Sequence, residues 1–310
     1  MKNERRLIVK IAEMYYKEEL TQNQIANQLN ISRMRVSRLL KKAIESSIVT
    51  ININYSGLFS DLENELIDKY NLKDIIIVDA NESDYVVKIA EAAGNYLNQY
   101  ILEGEIITVG WGKTLKTMVN YCAGEFTEQT VFTPIIGGHN PDYFTLHSNY
   151  ISSELATKFK SKSLSILAPA IASSIDKKNL YTSEDYVKDV LDTSKKATKA
   201  IFSLGSPQYD ESTLIESGYF NKNELKQIRE KRAVCDIASI VFLDENSNII
   251  LNEFTDRSIG LTVNDLRAIP NKICVAGGQY KHLSIHAALN AQLIDTLITD
   301  IDTADFLLKV

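Results

Sequence analysis

The chain has 310 residues, 45% of them hydrophobic and 24% charged, with a formal net charge of -6. That balance excludes a disordered or fibrous protein, and the length predicts about two domains. No apolar run reaches the ~20 residues needed to span a bilayer, and Lys10 interrupts the only apolar run near the charged start. A cytoplasmic protein with no membrane partner is therefore expected. Cys122, Cys235 and Cys274 are odd in number and lie in apolar surroundings, so they read as reduced core residues, with no disulfide or Cys-based zinc site.

The average charge conceals a split. Residues 1–55 hold ten Lys/Arg and five Glu, a net of +5, whereas the other 255 residues net -11. Such asymmetry points to a nucleic-acid-binding module joined to something else.

Within the basic segment, Leu7, Ile8, Ile11, Ala12, Met14 and Tyr15 recur at helical spacing and predict a first helix over 4–17. Thr21 and Gln24 have the form of a capping box ahead of a short second helix that carries Ile25, Ala26 and Leu29. Asn30 suits its left-handed end, and Ser32 suits the cap of a third helix running to Glu45. At ~100° per residue, Val36, Leu39, Leu40, Ala43 and Ile44 share one face of that helix. Met34, Arg35, Ser37, Arg38, Lys41 and Lys42 surround the other.

A helix that is apolar on one face and cationic on the other fits the B-DNA major groove, where guanidinium groups bond guanine or phosphate. Ser32 and Arg33, at its positive amino end, suit phosphate. Alternation from Ile51 to Asn54 predicts a wing strand. The candidate contacts to operator DNA are Thr21, Gln22, Ser32, Arg33, Met34, Arg35, Ser37, Arg38, Lys41 and Lys42.

The run LTQNQIANQLNISRMRVSRLLKKAIESSIVTININ resembles the DNA-binding domain of the SorC family of bacterial sugar-responsive transcriptional regulators. The third helix of that family typically opens with Ser-Arg and continues Val-Ser-Arg-Leu-Leu, as do Ser32-Arg33 and Val36 to Leu40 here.

Beyond Gly57, the stripe Leu58, Phe59, Leu62, Leu66, Ile67 and Tyr70 predicts a connector helix that packs either on the large domain or on a second subunit. The expected organisation is a winged helix-turn-helix over 1–56, a connector over 57–72 and an effector-binding domain over 73–310. At least a dimer is expected to read the operator.

From residue 73, short Ile/Val-rich runs alternate with helical patterns. Strands are predicted over 75–78, 106–109, 131–136, 164–168, 200–204, 237–242, 273–276 and 296–299. This pattern predicts an α/β, Rossmann-like domain with a mostly parallel sheet covered on both faces, and ligands in such folds bind beyond the carboxyl ends of the strands. Glycine loops stand at those ends: Gly110-Trp111-Gly112-Lys113-Thr114, Gly137-Gly138-His139, Gly205-Ser206 and Gly277-Gly278 followed by Lys281. The first opens a helix and suits phosphate, although it is not a Walker A sequence. Lys281 can supply a cation to the same anion.

This half resembles the sugar-binding domain of the same family in Gly110-Trp111-Gly112-x-Thr114, Ala168-Pro169-Ala170, Ala233 to Ile237, Ile273 to Lys281 and Leu297 to Ala304. The resemblance implies a fold related to sugar-phosphate isomerases and deaminases, and a phosphorylated sugar or similar polyol that alters the hold on DNA. It places Gly110, Gly112, Lys113, Thr114, Gly205 and Lys281 around phosphate and Asp236 against sugar hydroxyls. Where Cys235 stands, the family often has glycine.

The rival is an isomerase- or deaminase-like enzyme with Asp236 as base and Lys281 stabilising an enediolate. No local run states a catalytic constellation, so a regulator without catalysis or cofactor is expected. His282 and His286 share a helix face but lack a third metal ligand. Trp111 is either a packed aromatic or a stacking platform for the sugar.

Overall fold

The computed structural model describes residues 2–46, 48–49, 59–124, 127–138, 141–209, 214, 220–250 and 253–310. The chain divides into two compact units between Tyr55 and Ser56.

The first unit contains α1 (Lys2–Tyr16), α2 (Gln22–Leu29) and α3 (Arg33–Glu45). The capping box is formed: Thr21 Oγ1 accepts the Gln24 N–H, and Gln24 Oε1 accepts the Thr21 N–H at 2.9 Å. Asn30 takes the left-handed conformation (φ 51°) that ends α2, and Ser32 Oγ accepts the Arg35 N–H. These devices satisfy backbone groups that helix ends leave unpaired. Ile8, Ile11, Ile25, Val36, Leu40 and Ala43 then meet in one core. Ile44 differs from the expectation and stays 43% exposed, because it lies ~90° from the centre of the buried stripe. Residues 51–54, where the wing strand is predicted, lie outside the described residues, as do Gly57 and Leu58.

The second unit begins with α4 (Ser60–Tyr70), β1 (Asp74–Val78), α5 (Tyr85–Tyr100), β2 (Ile106–Val109), α6 (Lys113–Val119) and β3 (Val131–Pro134). It continues with α7 (Ser148–Lys158), β4 (Lys162–Ser163), α8 (Ile175–Ser183), α9 (Asp185–Ser194), β5 (Lys199–Phe202) and β6 (Leu204–Gly205). After α10 (Lys222–Glu230), β7 (Ala233–Ile237) and β8 (Val241–Asp244) come α11 (Glu253–Asp256) and α12 (Val263–Ala268). The last elements are β9 (Asn271–Val275), α13 (His282–Asn290), β10 (Thr296–Asp300) and α14 (Ile301–Lys309).

The main sheet has seven parallel strands in the order β1-β10-β9-β5-β2-β3-β4, and β6-β7-β8 form a smaller antiparallel sheet. Strand residues alternate between its two faces. Ile107, Val109, Ile201, Ile273 and Ile298 share one core with α5, α6 and α7, while Ala200, Phe202, Cys274 and Leu297 enter the other. All three cysteines are buried and free. Among the described residues no helix is long and apolar enough to cross a membrane.

Three predicted strands differ. The run 200–204 is divided between two sheets, β5 ending at Phe202 and Leu204 opening β6. Over 164–168 the ladder stops at Ser163 because the Asn149 side chain takes both backbone groups of Ile166, accepting its N–H at 2.9 Å and donating to its carbonyl at 3.0 Å. The run 237–242 contains a hairpin turn instead of a strand. Ala238 and Ser239 both have positive φ (48° and 61°), and the Ile240 N–H donates to Ile237 O. Two left-handed residues suit the right-handed twist of a hairpin. Helix α8 was not legible as a helix because none of its residues is buried, leaving no apolar stripe to read.

Of the two roles open to the connector stripe, the structure shows packing on the large domain. Leu66 is wholly buried in its core, with Phe59, Leu62, Ile67 and Tyr70 against it. The Lys69 ammonium donates to the carbonyls of Leu307, Leu308 and Val310, meeting the negative end of α14.

Candidate functional site

Strand order explains where the main cavity lies. From β2 the chain builds outward through β3 and β4, then returns to lay β5 on the opposite side of β2. The loops leaving β2 and β5 therefore diverge, opening a crevice at the carboxyl ends of adjacent strands. A cavity of about 560 Å³ lies there. Its wall contains Trp111, Gly112, Lys113 and Thr114 after β2, Ser203, Leu204, Gly205 and Ser206 at and after β5, and Tyr280 and Lys281 after β9. Asp236 and Ala238 enter from the small sheet and Tyr85 from α5.

Each group is held by identifiable contacts. Gly112 adopts φ 121°, a conformation only glycine takes readily, and its N–H donates to Leu146 O at 2.9 Å. This turn starts α6 with Thr114 in the cavity wall at 8% exposure. Lys281 Nζ donates to Ser203 Oγ at 3.1 Å, and burial lowers its pKa from the usual lysine value. Asp236 Oδ1 accepts the Ser239 N–H at 2.9 Å, so the carboxyl closes the hairpin turn while facing the cavity. Burial pushes its pKa up to about 8, against the opposing effect of that one hydrogen bond.

The cavity brings together Trp111, Gly112, Lys113, Thr114, Gly205, Ser206, Asp236 and Lys281 from the sequence candidates. Trp111 is 7% exposed, so it packs in the core and contributes to the wall. Four other candidate glycines support neighbouring backbone or side chains. A Cβ at Gly110 would meet Phe202, and one at Gly137 would lie 2.5 Å from Ala168 O. Gly138 bridges to Pro169, and a Cβ at Gly277 would lie 2.0 Å from the Asp300 carboxylate. Gly278 also lies outside the wall but acts on it. Its φ is 89°, its N–H donates to Asp300 Oδ2 at 2.7 Å, and a Cβ there would lie 2.6 Å from the Tyr85 ring. His139 lies outside the described residues.

Sequence reasoning missed Tyr85, Ser203, Leu204, Tyr209, Leu214, Ala238 and Tyr280 in the wall. The strand-end rule could have found Ser203 and Tyr280, which adjoin recognised loops. Tyr85 and Tyr209 carry no local signal; Tyr209 meets Tyr280 edge to face at 4.8 Å. His282 stacks on Phe306 at 4.6 Å and His286 contacts Tyr70 and Asn290, so the two histidines serve packing and hydrogen bonding.

In the first unit Ser32, Arg33, Met34, Arg35, Arg38, Lys41 and Lys42 are exposed, Met34 by 70%, and Ser37 is half-buried. Val36, Leu39, Leu40 and Ala43 bury the opposite face of the same helix. Thr21, half-buried Gln22 and Arg33 edge one surface groove. The result is a cationic helix presented on a small rigid core.

Residues 56–309 match the family model described as "Putative sugar-binding domain", and residues 6–46 match the model of sigma-70 region 4. The deoxyribonucleoside regulator of Bacillus subtilis is 31% identical over 309 residues, covering 98% of this chain and 97% of that protein. The transcriptional regulator LsrR of Escherichia coli K12 is 30% identical, covering 97% and 94%. The full-length sorbitol operon regulator SorC of Klebsiella pneumoniae is similar in structure, with a TM-score of 0.74, 28% identity and 98% of each chain covered. A DeoR family transcriptional regulator from Listeria monocytogenes has the same TM-score at 30% identity, covering 80% of this chain and 98% of its own. With its cationic recognition helix and a matched sugar-binding domain along nearly its whole length, the chain belongs to the SorC family of transcriptional regulators.

Proposed function

We propose that the protein is a cytoplasmic regulator whose hold on operator DNA is set by a phosphorylated sugar in the cavity of the second unit. The observation that carries this reading is the composition of the cavity wall: the Gly112 turn and Thr114 at one strand end, the Lys281 amine on Ser203 in the same wall, and the Asp236 carboxyl. Hydroxyl and ammonium donors at a helix-opening turn suit a phosphoryl group. Four aromatic side chains, Tyr85, Trp111, Tyr209 and Tyr280, suit the apolar C–H face of a sugar. No cofactor enters this scheme.

On the DNA side, Arg35, Arg38, Lys41 and Lys42 contact bases and phosphates, Ser32 and Arg33 contact phosphate, and Thr21 and Gln22 approach the backbone. Two subunits pair recognition helices on a palindromic site. The effector acts by binding the DNA-competent and incompetent forms with different affinity. Helix α13 starts directly after Lys281 and carries His286, which contacts Tyr70 of the connector helix, so the cavity and the connector share one rigid element. The test is a thermal-shift screen of phosphorylated and unphosphorylated sugars, followed by mobility-shift titrations of operator DNA. Stabilisation by phosphorylated sugars with a changed operator affinity is expected; a flat response across the panel sinks the reading.

A further inference from the structure

Asp236 is 1% exposed, yet it lines the cavity. Its Oδ1 accepts the Ser239 N–H, and its Oδ2 faces Gly205, where a Cβ would lie 3.1 Å away. Among the described residues no cation pairs with the carboxyl. The lysine in the same wall, Lys281, has its amine on Ser203 Oγ. Of the elements packed on β7, β6 presents Leu204 and Gly205, β8 presents Phe242, α10 turns Leu225 and Ile228 inward, and α13 turns Ser284 to Val234 O. Arg229 of α10 is held on Pro207 O. Among the described residues, the remaining titratable groups are the Cys235 thiol beside it, the buried Cys274 thiol, and Tyr85, Lys113, Tyr209 and Tyr280 in the cavity wall.

An ionised carboxylate in that position loses its hydration and regains one hydrogen bond from a neutral donor, which is poor compensation. It would also repel a phosphoryl group in the same enclosed space. We propose that Asp236 is a neutral carboxylic acid in the effector-free protein and donates a hydrogen bond to an uncharged oxygen of the ligand. The cavity then takes a ligand whose negative charge is confined to the end near Thr114 and Lys281. Its other end presents a hydroxyl, ring or carbonyl oxygen to Asp236. This rests on the reading of the cavity as a site for a phosphorylated sugar. The raised pKa of Asp236 agrees with the geometry.

Binding that needs the protonated acid weakens as pH rises past that pKa, by a factor of about ten per pH unit. Lys281 also loses its charge toward alkaline pH, so the comparison that isolates Asp236 is wild type against Asp236→Asn, whose amide keeps a donor and the bond to Ser239. Two measurements test the proposal. Infrared difference spectra, wild type minus Asp236→Asn, are expected to show a protonated carboxyl band at about pH 7 that fades by about pH 9.5. Calorimetric titration with ribose 5-phosphate and hexose 6-phosphates is run on both proteins from about pH 7 to about pH 9, each series referred to its own affinity at about pH 7. Wild type should then fall about tenfold further than the variant between about pH 7 and 9. Asp236→Ser, which keeps a donor, replaces the Asn variant in both measurements if that variant does not fold. Absence of the carboxyl band near neutral pH, or parallel alkaline loss in both proteins, overturns the proposal. A band without binding by any sugar phosphate overturns the phosphorylated-sugar reading and the donor role with it, while the neutral acid stands.

Discussion

Tyr70 Oη lies 3.1 Å from His286 Nδ1 and donates to Leu307 O at 3.0 Å, tying the connector helix to α13 and α14 at one point. With the tyrosine proton on Leu307 O, His286 must donate from Nδ1 to Tyr70 Oη. Its Nε2, 3.0 Å from Asn290 Nδ2, then accepts from the amide. This arrangement satisfies each partner with a neutral imidazole. Burial, reinforced by the nearby Lys69 charge, lowers the His286 pKa from 6.5 and favours that form.

Tyr70→Phe removes the hydroxyl that joins these groups and should destabilise the second unit by about 1–2 kcal/mol in chemical denaturation. Its effector Kd should stay near wild type, while the effector-induced change in operator affinity shrinks. An unchanged effector response in mobility-shift titrations would show that the connector contact is not on the route.

His286 also gives the joint a pH dependence. A depressed folded-state pKa means that the unfolded chain binds the proton first as pH falls, so stability is present above 6.5 and is lost on acidification through the lower folded value. Melting temperatures of wild type and His286→Gln should converge as pH falls below 6.5.

Asp236 has the opposite slope. Its folded pKa of about 8 stands above the unfolded 3.8, so between these values the unfolded chain has released a proton that the folded chain keeps. Stability falls by about 1.4 kcal/mol per pH unit across that window and levels off above it. Asp236→Asn removes this slope, and its stability relative to wild type should rise steadily from about pH 5 to about pH 8. A constant difference in denaturation midpoint across the series would contradict the assignment.

Arg38→Ala should weaken operator binding by about 1–3 kcal/mol and reduce its salt dependence, with effector affinity unchanged. Thr114→Val should do the converse, weakening sugar-phosphate binding about tenfold or more through a lost hydroxyl donor. Loss of both activities in either variant would instead report misfolding.

Gly278→Ala tests a residue that supports the wall without lining it. The new methyl would need a left-handed backbone and would lie 2.6 Å from the Tyr85 ring. A loss of effector affinity is expected along with destabilisation of roughly 1–3 kcal/mol, measured by calorimetry and denaturation.

The sequence by itself determined what local rules govern. Thr21 and Gln24, Asn30 and Ser32 delimit the helices of the first unit because caps and turns are decided within four residues. The Ile/Val runs around Ile107, Ile201, Ile273 and Ile298 identified a covered parallel sheet because strands buried on both faces carry no alternation. Glycine loops at strand ends marked Gly112, Thr114, Gly205 and Lys281 as candidates before any contact was known. Only the tertiary structure decided which of these face one space. Gly110, Gly137 and Gly277 have the same sequence signature as Gly112 and Gly205, yet they make room for Phe202, Ala168 and Asp300. Strand order brings β9 beside β5, so groups 78 residues apart, Ser203 and Lys281, meet through a hydrogen bond. The same packing buries Asp236 with no ion pair among the described residues, and the burial that raises its pKa comes from residues distant in the chain.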